Sequence, residues 1–468
     1  MAKDPLDVAS LASEIADSNF DDDRLNRRLR SIVESLGKDP SKSLPRSFDS
    51  AGLEGAYRFF SNQRVTPDNI LANHFAATRA RCEANGGDIL VVHDTSTFSY
   101  RFDGEREGLG HIQRSNENSS QVFFAHVSLA LTADETHRPL GIAAIKTWTR
   151  GPEPTGTEYQ RWEAQFRAAS MQLGAHKTAI HLADREADDY EMFYSLQRDE
   201  LRFVIRCQHN RWLEDAGDKI KLHELFASIP ATIEREVHLD RRKPRRTPAL
   251  RKVYPARESR LATLRVAAAT VAIKKPRSPR LGNVNPPDLL PLNVVRVWEP
   301  NPPEGFEPVE WFLYTSEPIE TADQQLAIVD HYRARWTIEE YFKALKTGCA
   351  FERRQLQDYE ALINLLAVFA PIAYRLLLIR GEARRAPEEP ARDLLSPDEL
   401  DVLRARGRMK LPTLPTNRQI LFAIAALGGH IKYSGNPGWL TLARGYEKLE
   451  TLTEGWCAAK LQLSSDQG

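Results

Sequence analysis

The spacing of apolar residues changes character several times along the chain, and each change predicts a different kind of element. In "DDDRLNRRLRSIVESLG", Leu25, Leu29, Ile32 and Val33 recur every three or four positions, so residues 1 to about 70 read as short helices. The longest of these opens on acids and stops at Gly37, as helix ends favour. From residue 88 the pattern turns to strands. "DILVVHDTSTFSY", "QVFFAHVSLALT" and "RPLGIAAIKTW" are rich in branched and aromatic residues, with turn-rich stretches between them. A helix over residues 158–172, the strand "TAIHLAD", a helix over about 187–197 and the strand "LRFVIRC" follow. Three strands and then helix, strand, helix, strand make a mixed α/β layout.

Between residues 207 and 311 the alternation breaks. "TIEREVHLDR", "RLATLRVAAATVAIKK" and "LNVVRVWEP" read as strands split by Pro- and Arg-rich loops, a β-rich insertion at about 208–308. "WFLYTSEP" supplies one more strand. Beyond the charged linker "GEARRAPEEPARD", stretches such as "NRQILFAIAAL" predict a helical C-terminal domain. The expected domains are a helical one at 1–70, an α/β one at 71–378 carrying the insertion, and a helical one at 379–468.

A single helix is expected over residues 321–345, which hold no Pro or Gly and place apolar residues at helical spacing. Ile338, Tyr341 and Leu345 form its buried stripe. Tyr332, Arg335, Glu339, Lys343 and Lys346 line another face, because residues three or four apart are neighbours on a helix. That row fits two readings: a solvated face with ion pairs Arg335–Glu339 and Glu339–Lys343, or a phosphate-binding surface with one acid in its midst.

Charge sharpens the choice only locally. The net charge of +0 excludes a uniformly basic nucleic-acid binder. Yet Arg24, Arg27, Arg28 and Arg30 cluster near the start, and Arg241, Arg242, Lys243, Arg245, Arg246, Arg251 and Lys252 form a dense run. Such blocks serve as solvated loops or as phosphate contacts. Cys82, Cys207, Cys349 and Cys457 have no paired spacing, so they are expected to be buried thiols outside any zinc site or disulfide. With no run of about 18 apolar residues recognised and no apolar leader in "MAKDPLDVAS", a cytoplasmic protein without a membrane partner is expected.

Two acids close hydrophobic strands: Asp94 ends "ILVVHD" and Asp184 ends "AIHLAD". Such positions are the rim where α/β folds place their sites, and also where Asp serves as a turn residue. Together with Glu339 they could form a three-carboxylate site, which requires protons or cations to be stable. Oxygen-only ligands favour Mg²⁺, with Mn²⁺ as a substitute, over zinc. Glu186 and Asp188, beside Asp184, leave open which acid of "DREADD" takes that role. Paired carboxylates of a glycosidase would leave the cationic row beside Glu339 unexplained.

The pieces "HDTSTFSY", "ADREAD", "RFVIR", "WFLYTSEP" and "YRARWTIEEYFKALKTG", with "GAYRFFSN" and "LGGHIKYSG", resemble the DDE transposases of bacterial insertion sequences. They are most similar to the subgroup with a Tyr-Arg-Glu-Lys signature that cuts through DNA hairpins. The resemblance runs over most of the chain with the motifs in order. It implies an RNase H-like mixed-sheet catalytic core with the β-rich insertion between the second and third acids, and helical N- and C-terminal domains. The implied metal ligands and catalytic residues are Asp94, Asp184 and Glu339. Tyr332, Arg335, Lys343 and Lys346 would grip phosphates, Trp311 would stack on a flipped base, Arg206 would contact terminal DNA, and Arg24 and Arg28 would contact the element ends. Each has a plainer rival reading: Trp311 as core, and Arg206 as the ion-pair partner of Glu186 or Asp188.

The function so implied is cut-and-paste transposition: end nicking, hairpin formation, hairpin opening and strand transfer, all in-line phosphoryl transfers. The partners would be double-stranded DNA, both the terminal repeats and the target, and a second protomer in the DNA complex, with the C-terminal helices as the dimer interface. Two other readings stay open: a metal-dependent nuclease on the same core without strand transfer, and a catalytically inactive DNA-binding regulator.

Overall fold

The computed structural model describes residues 14, 18–38, 42–101, 104–115, 118–150, 158–174, 178–215, 217–239, 256, 258–277, 285–306, 308–391, 394–431 and 435–465. The basic run holding Arg241, Arg242, Lys243, Arg245, Arg246, Arg251 and Lys252 lies outside the described residues. In chain order the helices α1 (Asp23–Lys38), α2 (Leu44–Ser47), α3 (Ser50–Phe60) and α4 (Pro67–Asn85) come first. Helix α4 starts where Thr66 caps it with Pro67 in its first turn, and stops at Gly86, whose φ of 69° suits glycine.

Strands β1 (Ile89–Arg101), β2 (Gly110–Ser115), β3 (Asn118–Thr132) and β4 (Pro139–Trp148) follow, then α5 (Glu158–Leu173), β5 (Ala179–Ala183), α6 (Tyr190–Arg198) and β6 (Arg202–Arg206). Next come β7 (Trp212–Asp215), β8 (Asp218–Lys221), α7 (Leu222–Ser228), β9 (Ile233–Leu239), β10 (Arg260–Lys274), β11 (Leu289–Trp298) and β12 (Glu310–Thr315). Helices α8 (Ala322–Ala334), α9 (Thr337–Lys343), α10 (Tyr359–Arg385), α11 (Pro397–Arg406), α12 (Asn417–Leu427) and α13 (Trp439–Ser465) complete the chain. Capping boxes start α8 at Thr321 with Gln324, α11 at Ser396 with Glu399, and α12 at Thr416 with Gln419.

The chain divides into two compact units, one of residues 1–157, 165–175 and 336–468, the other of residues 158–164 and 176–335. In the first, β1 and β3 pair antiparallel from Ile89 opposite Thr132 to Arg101 opposite Ser120, while β2 and β4 share the far edge of β3. Helix α10 forms its core, packed against α4, β4 and α12. It is long and apolar enough to cross a membrane, which corrects the expectation that the chain holds no such run; its most apolar stretch is entirely buried inside the fold. Two of its polar side chains are tied into the fold: Asn364 donates to the carbonyls of Phe60 and Val65 at 2.9 and 3.0 Å, and Arg375 donates to that of Leu394 at 2.6 Å, while Asn364 Oδ1 and Arg375 Nη1 are buried without a hydrogen-bond partner among the described residues.

In the second unit β5 and β6 run parallel, and β6, β12, β11 and β10 continue as an antiparallel sheet. Strand β9 pairs with the first half of β10, and β7 with its end. Helix α8 packs on β5, β6, β10 and β11, and two bonds of 2.8 and 2.5 Å from Arg235 to Asp330 fasten it to β9.

Three elements escape the hydrophobic pattern. Strand β2, "GHIQRS", has Ile112 as its single large apolar residue, and β7 and β8 span four residues each. The helix expected over 321–345 is two helices, α8 and α9, followed by a π-helical turn at Ala344–Gly348. Leu25 is half-buried, as are Cys207 and Cys457; Cys82 and Cys349 are the buried thiols. Burial pushes the Cys82, Cys207 and Cys349 thiols up to about 12, so these three stay protonated.

Candidate active site

In the first unit Asp94 sits midway along β1, opposite Val127 and half-buried, and its Oδ1 accepts the Thr95 amide at 2.8 Å. Glu339 lies on α9, which packs against β1 while Ile338 and Tyr341 are buried beneath it. Lys343 does not pair along the row as expected. Its Nζ donates to Glu340 at 2.6 Å and lies 5.3 Å from the Trp336 ring centre, and Glu340 also faces Arg384 at 3.7 Å. Lys346, in the π-helical turn, donates to the carbonyl of Thr97 at 2.6 Å, lies 4.8 Å from the Phe98 ring centre and faces Glu352 at 3.7 Å. π-Turns of this kind recur at functional sites.

On α1, Arg24 is exposed and bonded to Asp22 at 3.4 Å. Arg28 is half-buried, its guanidinium packed where any side chain at Gly55 would stand.

The second unit gathers Arg206, Trp311, Tyr332, Arg335 and Asp184. Tyr332 is buried, at 5 % exposure, and meets Trp311 edge-on at 5.5 Å. Burial raises the Tyr332 phenol above its ordinary value; the nearby cations Arg335 and Arg206 oppose the rise, and Asp184 adds to it. Arg206 thus stands with Tyr332 rather than with Glu186 or Asp188. Trp311, on β12 opposite Val297, is half-buried and lines an apolar cavity with Val237, Leu264, Val266 and Val329, to which Arg235 and Arg333 also contribute.

The acids after β5 have separate roles. Asp188 is consumed by structure: Oδ2 accepts the amides of Gln208 and His209 at 2.6 and 2.8 Å, and Oδ1 accepts Arg211 Nη2 at 2.6 Å and Nε at 3.1 Å. Asp189 caps α6 by accepting the amides of Glu191 and Met192. Asp184, half-buried at the end of β5, accepts the Glu186 amide at 2.9 Å. Sequence reading passed over a further group, the buried His93, His126, Ser128 and Gln165 behind Asp94. The signal was present, since polar His93 and Thr95 alternate on one face of a strand that opens with "ILVV". Burial pulls the His126 imidazole down to about 3, so the ring is neutral.

Residues 9–65 match the family described as Transposase DNA-binding, and residues 163–370 match Transposase DDE domain. The first range contains Arg24 and Arg28. The second contains every proposed site residue from Asp184 to Lys346, while Asp94 precedes it. The matches comprise a DNA-binding segment followed by a DDE domain, and the mixed α/β structure with its large mixed sheet is consistent with an RNase H-like DDE domain. They support a DDE transposase, an enzyme whose partner is DNA.

DDE domains generally use divalent metals such as Mg²⁺. Among the described residues no group of three or more His, Cys, Asp or Glu forms a ready metal cage. Asp94 and Glu339 belong to one unit and Asp184 to the other. The donors themselves fit a hard cation: all three are half-buried carboxylates, and two have one oxygen held by a downstream amide.

Proposed function

We propose that this protein is a cut-and-paste transposase of the hairpin-forming type, with Asp94, Asp184 and Glu339 as its catalytic carboxylates and holders of Mg²⁺, which Mn²⁺ can replace. The bound cations would supply an activated water and stabilise the leaving oxygen. Water cuts one strand at the element end, and the 3′ hydroxyl so freed attacks a phosphodiester of the opposite strand, closing a hairpin and expelling the flanking DNA as its own 3′ hydroxyl. A second hydrolysis opens it, and the 3′ hydroxyl then displaces a phosphodiester oxygen of the target.

The chain's own part is positioning. Arg206, Tyr332, Arg335, Lys343 and Lys346 hold phosphates, and Trp311 offers its ring to a base that has left the stack. Arg24 and Arg28 contact the element end. Two ends call for two protomers, with α11–α13 as the interface between them, and the work is done on DNA in the cytoplasm.

The observation that carries this reading is the edge-on meeting of Trp311 and Tyr332, with the charges of Arg206 and Asp184 acting on the phenol. A cation, a phenol and an indole beside a strand-end carboxylate suit a phosphate and an unstacked base better than they suit a purely structural core. Purified protein and its Glu339→Gln variant are incubated with labelled DNA from the borders of its own gene and Mg²⁺, and the products are resolved on denaturing gels. A nick followed by a hairpin is expected, with the variant binding yet not cutting. Nicking without a hairpin or joined product would point to a simple nuclease, and cutting by the variant would remove Glu339 from the site.

A further inference from the structure

Behind Asp94, two polar pairs cross the β1–β3 ladder where apolar residues would pack at less cost. His93 faces Ser128 and Thr95 faces His126. A hydrogen bond of 3.0 Å joins Ser128 Oγ to His93 Nδ1, and another of 3.0 Å joins Thr95 Oγ1 to His126 Nδ1. Gln165, from α5, closes the group by donating to Ser128 Oγ at 2.9 Å and to the His126 carbonyl at 3.4 Å. Phe166 stacks on His93 at 4.0 Å.

His93, His126, Ser128 and Gln165 are each at most 3 % exposed. Desolvating polar groups costs free energy unless they are bonded, and a bonded network holds its members in one arrangement. The member next to the candidate site is Thr95: its hydroxyl is held by His126, and its amide holds Asp94 Oδ1 at 2.8 Å.

We infer that His126 is a positioning residue, fixing Thr95 and through its amide the carboxylate of Asp94 for a divalent cation. The inference rests on the proposed role of Asp94 as a metal ligand. It stands two hydrogen bonds from the ligand, with Thr95 between them: it touches neither substrate nor cation, and it acts on the direction in which an oxygen points through Thr95. Loss of a partner bonded directly to a ligand ordinarily weakens metal affinity about 10- to 100-fold, and one bond further out the lower end of that range applies.

The test uses the full chain bound to labelled border DNA. Mn²⁺ binding is followed by electron paramagnetic resonance, nicking is measured over a Mg²⁺ series, and DNA affinity is measured without metal. His126→Phe fills the ring volume without a ring nitrogen, and His126→Asn restores a polar atom near Nδ1. His126→Phe is expected to weaken Mn²⁺ binding about tenfold or more and to raise the Mg²⁺ needed for half-maximal nicking, with DNA affinity unchanged. His126→Asn should recover most of the loss. Should His126→Phe fail to fold, Thr95→Val breaks the same bond from the other side and carries the same expectation. Wild-type Mn²⁺ affinity in the folded variants, or an Asn variant as weak as the Phe one, would overturn the proposal. Asp94→Asn separates the two levels. If it keeps Mn²⁺ affinity and nicking, the assignment of Asp94 itself fails; if it loses both while His126→Phe and Thr95→Val keep full affinity, only the positioning role falls.

Discussion

Asp188→Asn is the substitution that most cleanly separates the structural acid of "DREADD" from the one proposed to be catalytic. The Asp188 side chain is fully buried and takes four hydrogen bonds, two from the Gln208 and His209 amides and two from Arg211, whose own side chain is 10 % exposed. Asparagine has one carbonyl oxygen, so whichever way the amide turns, two of those donors face an NH₂ group. An unsatisfied buried donor costs about 1–3 kcal/mol, and removing one partner of a buried ion pair costs about 3–5 kcal/mol because the other charge stays behind. The two figures describe overlapping losses, so about 3–5 kcal/mol is the expectation. At about 2–4 °C per kcal/mol for a unit of this size, the melting temperature should fall by about 6–20 °C. Asp184→Asn touches a half-buried group with one backbone bond and should melt within a few degrees of wild type while losing cleavage. Circular dichroism melts of both variants decide the matter. An Asp188→Asn protein that melts with the wild type, or an Asp184→Asn protein that melts as low as Asp188→Asn should, would refute the division of roles.

Trp311→Ala should slow hairpin formation severalfold more than the first nick in single-turnover gels, since the ring is proposed to act on an unstacked base; equal slowing of both steps would assign it to the core of the cavity it lines. Glu450 is raised from 4.5 to about 8 by burial, the charge of Glu399 and their shared hydrogen bond. The native state therefore holds a proton that the unfolded chain has released, so its contribution is present below about pH 4.5 and is lost as pH rises to about 8. Glu450→Gln should accordingly gain stability over wild type progressively across that window in melts taken at several pH values, and parallel curves would refute the assignment. Gly445 lets α13 approach α12 so closely that an added Cβ would run into the carbonyl oxygen of Ile424; Gly445→Ala should cost about 1–3 kcal/mol, at the upper end because backbone cannot yield, measured by urea unfolding.

Most strand positions along the chain were legible because long, branched runs such as "ILVV" and "LNVVRVW" have few other solutions. What stayed hidden had no local signal. The β7–β8 hairpin rests on Leu213 as its one fully buried residue, and β2 draws its stability from β3. The apolar length of α10 was interrupted to the eye by Asn364, Pro371 and Arg375, and tertiary bonds let the first and last of these lie inside the core. Of the candidate acids, Asp184 does follow the end of β5, but Asp94, expected to end its strand, sits midway along β1 because the polar residues Thr95, Ser96 and Thr97 continue the ladder to Arg101. Which acid of "DREADD" is spent on structure could not be read, since Arg211 lies 23 positions away in sequence.

The Tyr332 to Lys346 row shows how spacing alone misdirects as well as guides. Equal steps along a continuous helix would make five neighbours with Glu339 as the shared counter-charge. The chain instead ends α8 at Ala334 and starts α9 at Thr337, with Tyr332 meeting Trp311 in one unit and Lys343 taking Glu340 as its partner in the other. The π-helical turn then shifts Lys346 to the Thr97 carbonyl on β1. Each lysine of the row thus already has a protein partner, and a phosphate must displace an existing bond to take it. Such an exchange returns less free energy than a new contact, yet it places the Lys346 ammonium against β1, the strand that carries Asp94, before any DNA arrives. Pre-placed groups of that kind raise the rate of positioning-dependent chemistry more than they raise affinity.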